Sequence, residues 1–328
     1  MPVLLLAAFA LRAAGVGQPI VENYVGRQIP TAMVARNLDR GSGWLRPQLD
    51  TGPFPNLFLV EPPVYAGLVV GLRRALACDL EPAGRLASAL ATTLGAWGLF
   101  GLVRRREGPS VALAAVAAFA LLPVTIRYGR AFQPDAAMLG TQLAALRLWD
   151  TANARGGGLR WAAAWLLLAT SLALKVTTAY VLVPTIVVLT PPRRPWKVVL
   201  ALAALIPALV WYAHAAALLA EGGGSRAPAD SGAIWLGVLR PTALLRGATY
   251  ADLGRYLLVR AFTPLGPPLA LAGLWAVRPA ARLWLIWGGA AAAALMLLAG
   301  KLHHEYYWLM LAPPVAVGIG RLLVAWAR

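Results

Sequence analysis

Long apolar runs separated by short polar connections constrain this chain more than any motif does. Runs over about 2–17, 85–103, 109–127, 135–150, 159–173, 176–190, 196–219, 256–277, 282–299 and 306–326 approach the ~20 apolar residues that an α-helix needs to cross a bilayer. Within a bilayer the backbone must satisfy its own hydrogen bonds, which leaves helices or a closed barrel. A barrel would show a series of alternating strands of ~10 residues, and this sequence has none. The chain is 59% hydrophobic and 13% charged, against roughly 25% charged in soluble domains. It therefore reads as an all-α polytopic membrane protein of about ten spans, forming one domain over 1–328.

Residues 18–84 break the apolar pattern. They carry Glu22, Arg27, Gln28, Arg36, Asn37, Asp39, Asp50 and Glu61, with prolines at 30, 47, 53, 55, 62 and 63. The periodicity predicts an interfacial helix over Tyr24–Leu38, with Val25, Ile29, Ala32, Met33 and Arg36 on one face and Arg27, Gln28, Thr31 and Asn37 on others. The stretch 62–77 is either an eleventh span or a second helix lying flat. Charge decides between them. With 62–77 flat, Arg104–Arg106, Arg155 with Arg160, Arg193–Arg194 with Lys197, Arg278 with Arg282, and Arg328 share one side, as short cytoplasmic loops should. Eleven of the thirteen acidic residues, all but Glu107 and Asp150, share the other. Both termini are then inside, 18–84 is one external loop and 220–255 another.

The net charge of +17 follows from those basic loops facing an anionic leaflet, and nucleic acid is not expected as a partner. The lone Cys78 rules out an intramolecular disulfide or a cysteine-rich metal site. Met1–Val16 lacks a basic start and a cleavage site and reads as a retained first span. His303-His304-Glu305 lacks the HExxH spacing, and adjacent histidines diverge on a helix, so no metal is assigned there. No cofactor is indicated; a divalent cation is the one addition the chemistry leaves open.

On this topology the polar groups beside the apolar runs gather at the outer face: Arg130 and Asp135 around Pro134, Lys175 between two runs, and His304 before the last. Arg147 and Arg240 read instead as side chains snorkelling to headgroups. Cations and carboxylates together at an outer membrane face suit a lipid-phosphate substrate. Arg, Lys and His would stabilise the phosphate as it leaves, and a carboxylate would take a proton from the incoming hydroxyl or amine.

Several segments resemble the GT-C glycosyltransferases, the superfamily of family 39, protein O-mannosyltransferases and aminoarabinose transferases. They are Arg27-Gln28-Ile29-Pro30-Thr31-Ala32-Met33-Val34-Ala35-Arg36-Asn37, Glu61-Pro62-Pro63-Val64-Tyr65, Gly84-Arg85-Leu86-Ala87-Ser88, Arg130 to Asp135, Lys175, and His304-Glu305-Tyr306-Tyr307 with Pro313-Pro314. The resemblance implies an inverting transferase in the inner or plasma membrane. Its donor would be a polyprenyl-phosphate-linked sugar and its acceptor a lipid, glycan or protein, with the site on the periplasmic or extracellular face. It implies donor-phosphate contacts from Arg27, Arg130, Lys175 and His304, and further site positions at Gln28, Arg36, Asn37 and Tyr65. Relatives carry an acidic pair where this chain has Arg27-Gln28. The base is therefore sought at Asp50 or Glu61, or at Glu22, with Asp135 orienting the acceptor or another side chain. Two other readings are a transporter or flippase of a lipid-linked or anionic solute, which would place polar groups near the midplane in repeated broken helices, and a non-catalytic assembly subunit.

Overall fold

The computed structural model describes residues 1–21, 25–52, 54–190, 194–221, 239–276 and 281–328. Among them there are helices and no strands, apart from one isolated bridge between Gln48 and Leu57. The helices are α1 (Pro2–Ala13), α2 (Val25–Asp39), α3 (Val64–Leu76), α4 (Leu80–Glu107), α5 (Pro109–Leu121), α6 (Pro123–Tyr128), α7 (Asp135–Arg155), α8 (Gly158–Leu174), α9 (Leu182–Val187), α10 (Pro195–Ala203), α11 (Ile206–Glu221), α12 (Gly247–Gly254), α13 (Gly266–Ala276), α14 (Arg282–Leu297) and α15 (Ala312–Trp326). Short 3-10 turns precede α9 (Val176–Val181) and α15 (Glu305–Leu311).

Helical segments stand where the apolar runs lie, but several are broken or short. Three described helices are long and apolar enough to cross a bilayer alone: Leu80–Glu107, Pro195–Glu221 and Glu305–Trp326. A fourth crossing would be Gly247–Ala261 with Gly266–Trp275, bent by 86°. The expected ten crossings are thus only partly matched by unbroken helices. Prolines and polar side chains at the breaks explain the difference, because hydropathy windows read across a kink as though it were continuous helix. α3 has 13 residues, ~20 Å of helix against a hydrocarbon core of ~30 Å. Its length fits the flat reading of 62–77.

The core pairs α4 with α7, α7 with α8, and α15 with α5 and α13. α4 and α7 approach closely through glycine. A Cβ on Gly98 would lie 2.6 Å from the Leu143 carbonyl carbon, and one on Gly140 would run into the Ala91 backbone. Small residues at such crossings are how membrane helices gain packing without a hydrophobic drive. Gly140→Val should therefore cost at least ~2–3 kcal/mol, the upper range for overpacking. Gly289→Val, where a Cβ meets open space, should cost little. Thermal unfolding of both variants in detergent checks this.

A buried arginine ties α1 to the bundle: Arg12 donates to the carbonyls of Ala8 (2.8 Å), Ala120 (3.1 Å) and Thr125 (3.2 Å). At one end of the bundle the two acidic residues left among the basic loops are both paired. Asp150 accepts from Arg105 (2.7 Å) and Arg106 (2.6 Å), and Glu107 pairs with Arg321 at 2.7 Å. α2 and α3 pack on each other and on α4 at the opposite end, as lids over the helix termini.

One expectation about α2 is corrected. Its buried residues are Gln28, Thr31, Val34, Ala35 and Leu38, while Val25, Ile29 and Arg36 are exposed. The helix buries Gln28 and Thr31, expected on other faces, together with Val34, Ala35 and Leu38, because what lies beneath it is partly polar. The Gln28 side-chain oxygen accepts the Phe132 backbone N–H at 2.8 Å.

Candidate active site

Helix ends converge beneath α2 and α3. Arg27 stands in the first turn of α2, Glu61 just before the Pro62-Pro63 entry to α3, and Asp135 at the start of α7. Lys175 sits where α8 gives way to a 3-10 turn, and His304 just before the last helical segment. Between them is a cavity of about 300 Å³ lined by Arg27, Val60, Glu61, Lys175, Val176, Thr177, Tyr212, Lys301, His304, Tyr306 and Tyr307. That volume is at the lower bound of small-molecule sites, about 300–1,000 Å³.

Two ion pairs organise the wall. Arg27 pairs with Glu61, and both side chains are nearly covered. Burial disfavours the Arg27 charge, but Glu61, with Tyr306 and Asp135 behind it, more than offsets this and raises its pKa. The guanidinium also stands 5.4 Å from the Phe58 ring centre. Lys175 pairs with Asp135, and its ammonium lies 4.0 Å and 4.5 Å from the ring centres of Tyr306 and Tyr307. Aromatic faces attract a cation in this geometry, so Lys175 is held by a carboxylate on one side and two rings on the other. The Tyr212 hydroxyl donates to the Val60 carbonyl at 3.0 Å, fixing the strand of chain that carries Glu61.

His304 stacks on Tyr306, ring centres 5.4 Å apart. Burial, followed by the charges of His303 and Lys301, pushes its pKa down to about 3. At neutral pH it is an uncharged hydrogen-bonding group and not the cation the sequence suggested as an option. Glu305, beside it, turns away from the cavity: it accepts from Arg260 (2.6 Å), Arg127 (3.0 Å) and the Tyr128 hydroxyl (3.2 Å). This clamp joins α6, the segment Arg255–Ala261 and the start of the last helix.

Of the residues singled out from sequence, Arg27, Glu61, Lys175 and His304 line one cavity, with Asp135 against Lys175. The others lie elsewhere. Asp50 is exposed and pairs with Arg36, which together with Asn37 lowers its pKa; Asn37 also donates to the Gln48 carbonyl at 3.0 Å. Arg130 donates to the Gln18 side chain at 3.1 Å, outside the cavity lining. Gln28 and Tyr65 are fasteners of the turn before α7. The Tyr65 hydroxyl bonds Gly84 O (2.7 Å) and Ser88 Oγ (2.8 Å), and Ser88 donates to Ala131 O at 2.6 Å. Gly84 leaves room for the Phe132 ring. Glu22 lies outside the described residues. Lys301, Tyr212 and Thr177 were not anticipated. Lys301 had a signal, a cation three residues before His304; Tyr212, midway along an apolar run, had none.

The cavity wall presents Arg27, Lys175 and Lys301 against one carboxylate that is already paired. Such a donor set suits an anion and does not suit a divalent cation, which takes several oxygen ligands. No group of three or more His, Cys, Asp or Glu side chains suitable for a metal forms among the described residues.

Residues 60–215, a little under half of the chain, match the family model for dolichyl-phosphate-mannose-protein mannosyltransferase. The fold resembles that of ArnT from Cupriavidus metallidurans solved with undecaprenyl phosphate bound, with a TM-score of 0.68 at 16% identity, covering 98% of this chain and 59% of that one. It also resembles the Archaeoglobus fulgidus oligosaccharyltransferase solved as a complex with Zn and sulfate (TM-score 0.56, 14% identity, 98% and 48% covered). The same oligosaccharyltransferase has been solved with an inhibitory peptide and a dolichol-phosphate (TM-score 0.53, 12% identity, 98% and 50% covered). The chain thus spans about three fifths of the ArnT structure and half of the oligosaccharyltransferase. No curated protein matches it in sequence. These likenesses support the resemblance to the GT-C superfamily, and the matched segment contains Glu61, Asp135 and Lys175.

Proposed function

From a chain with a GT-C-like fold and a cationic cavity walled by one carboxylate, we propose a membrane glycosyltransferase that moves a sugar from a polyprenyl-phosphate donor to a lipid, glycan or protein acceptor. The observation that carries the reading is the convergence of Arg27, Glu61, Lys175, Lys301 and His304 on one cavity at the helix ends. In this proposal the donor phosphate sits among Arg27, Lys175 and Lys301, with His304 as a neutral hydrogen-bonding partner. The acceptor O–H or N–H gives its proton to Glu61 as its heteroatom bonds the anomeric carbon from the face opposite the leaving oxygen, inverting that centre. The anomeric C–O bond breaks, and its electron pair stays on the polyprenyl phosphate. Cations already in place stabilise that developing charge at little reorganisation cost.

The Arg27–Glu61 pair also offers a gate on basicity. A carboxylate paired with a guanidinium is a poor proton acceptor. A donor phosphate that takes over Arg27 leaves Glu61 more basic only when a donor is present. Asp135 then acts as a positioning residue that holds Lys175. On the same proposal the described part of 18–84 is the wall over the site on the external face, and the Arg105–Arg106 end is cytoplasmic, with the termini; most of the external loop 220–255 lies outside the described residues.

The candidate site lies at the helix ends and not near the midplane, and the sequence shows no repeat, which speaks for this reading over a transporter, whose site belongs near the midplane. The seating of Glu61 in the cavity speaks for it over an assembly subunit. The test is transfer of radiolabel from polyprenyl-phosphate sugars to membrane-extract acceptors by purified protein in liposomes. Wild type should transfer label, and EDTA should change the rate by less than about twofold, since the wall fits an anion and not a cation. Absence of transfer with every donor, in wild type and Glu61→Gln alike, would overturn the enzyme reading.

A further inference from the structure

At the end of the bundle opposite the candidate site, a second cavity of about 430 Å³ lies between the last turns of α4 and α7. It is ~30 Å along α7 from Asp135, by the 1.5 Å rise per residue. Arg104, Arg105, Arg147 and Arg155 line it, with Phe100 and Gly101, and no carboxylate is in its wall. Asp150 pairs with Arg105 and Arg106 and so offsets one of the four lining charges. Arg104, Arg147 and Arg155 pair with no carboxylate among the described residues.

Arg147 is not a snorkelling side chain. It stands two turns before the end of α7 and is folded back across α4. Its guanidinium lies over the Trp97 ring, 3.4 Å from the centre, and donates to the Trp97 carbonyl at 3.0 Å. Gly101 makes this possible, because a Cβ there would run into the Arg147 side chain. A charge that only marked the cytoplasmic side would extend its stem toward water. This one is held in the wall of a cavity it shares with two further uncompensated guanidinium groups.

We infer that this cavity binds the phosphate headgroup of an anionic phospholipid from the leaflet opposite the candidate site, with Arg104, Arg147 and Arg155 around the phosphate. The inference rests on the proposed membrane topology. Guanidinium groups match phosphate oxygens bidentately, and basic pockets between helices on the cytoplasmic side suit anionic headgroups. Phe100, in the same wall, gives an acyl chain an apolar start that a free phosphate would not use.

The experiment is native mass spectrometry of the delipidated full chain with added phosphatidylglycerol or phosphatidylcholine, with and without inorganic phosphate. Phosphatidylglycerol should be retained and phosphatidylcholine released. Arg104→Gln with Arg155→Gln, both exposed positions, should cut retention of phosphatidylglycerol about 30-fold, roughly fivefold per arginine near a membrane surface. Arg160→Gln, whose side chain is exposed and bonds the Gly156 carbonyl, should leave retention unchanged. Equal retention of both lipids, or full retention by the double variant, would overturn the proposal. Displacement of phosphatidylglycerol by millimolar phosphate would overturn it in favour of a free-anion site. The readout is lipid and not sugar transfer, so its failure is distinct from failure of the glycosyltransferase reading.

Discussion

Glu61→Gln should lower kcat by about 10²–10⁴-fold, the usual contribution of a positioned general base, without weakening donor binding. The two effects separate because Glu61 has two relations in the site. It lines the cavity, and it pairs with Arg27. Glutamine keeps the shape and an oxygen that can accept from Arg27, so the wall stands. It removes the negative charge, which leaves the guanidinium fully available to a donor phosphate. KM for the donor should therefore hold or fall while kcat collapses. Asp50→Asn is the contrast. That carboxylate is exposed and engaged by Arg36 and Asn37 away from the cavity lining, and turnover should stay within about twofold, as for a surface pair whose contribution is small. Steady-state transfer assays on the two variants decide the matter. A raised KM with kcat intact in Glu61→Gln would make Glu61 a binding residue and sink its role as base.

Asp135→Ala should destabilise the protein by ~3–5 kcal/mol, the cost of breaking a buried ion pair by removing one partner. Lys175 is nearly inaccessible and Asp135 more so, with side-chain exposures of 9% and 1%. Only one Asp135 oxygen finds a protein partner, the Lys175 ammonium; the other has none among the described residues. Removing the carboxylate leaves a buried cation with the rings of Tyr306 and Tyr307 as its remaining support. Lys175→Met in the same background should recover most of the loss, because replacing both charges by apolar groups is often near neutral. The double variant should stay inactive, since Lys175 is also part of the cavity wall. Unfolding midpoints in mixed micelles measure the cycle. Single and double variants all within about 1 kcal/mol of wild type, the range of an exposed pair, would mean that the ion pair has no energetic role.

Much of the site was legible because its chemistry interrupts hydrocarbon. A lysine between two apolar runs, or an acid before a Pro-Pro pair, costs free energy unless it is solvated or paired, so Lys175, Asp135, Glu61 and His304 stood out against their neighbours. Charge asymmetry between loops told the two ends of the bundle apart, since a basic loop and an acidic loop differ in composition whatever the helices do. The misplaced residues were those whose setting depends on side-chain direction. Arg130 lies five residues from Asp135, yet it points to Gln18 while Asp135 turns to Lys175. Gln28 and Tyr65, expected as further site positions, hold the turn before α7 through the Phe132 N–H and the Gly84 carbonyl. The buried face of α2 departs from the amphipathic expectation because amphipathicity assumes an apolar core, and this helix buries Gln28 and Thr31 along with Val34, Ala35 and Leu38.

Sequence alone determined that the chain is a set of helices, which ends are basic, and which polar residues need a reason to be there. Those follow from local composition, because desolvation of charge and backbone acts residue by residue. Tertiary structure alone decided which carboxylate meets which cation. Asp50 and Glu61 are eleven positions apart on one loop and equally acidic in sequence. Only the packing of α2 and α3 over the helix ends turns Glu61 toward Arg27 in the cavity and leaves Asp50 in water with Arg36.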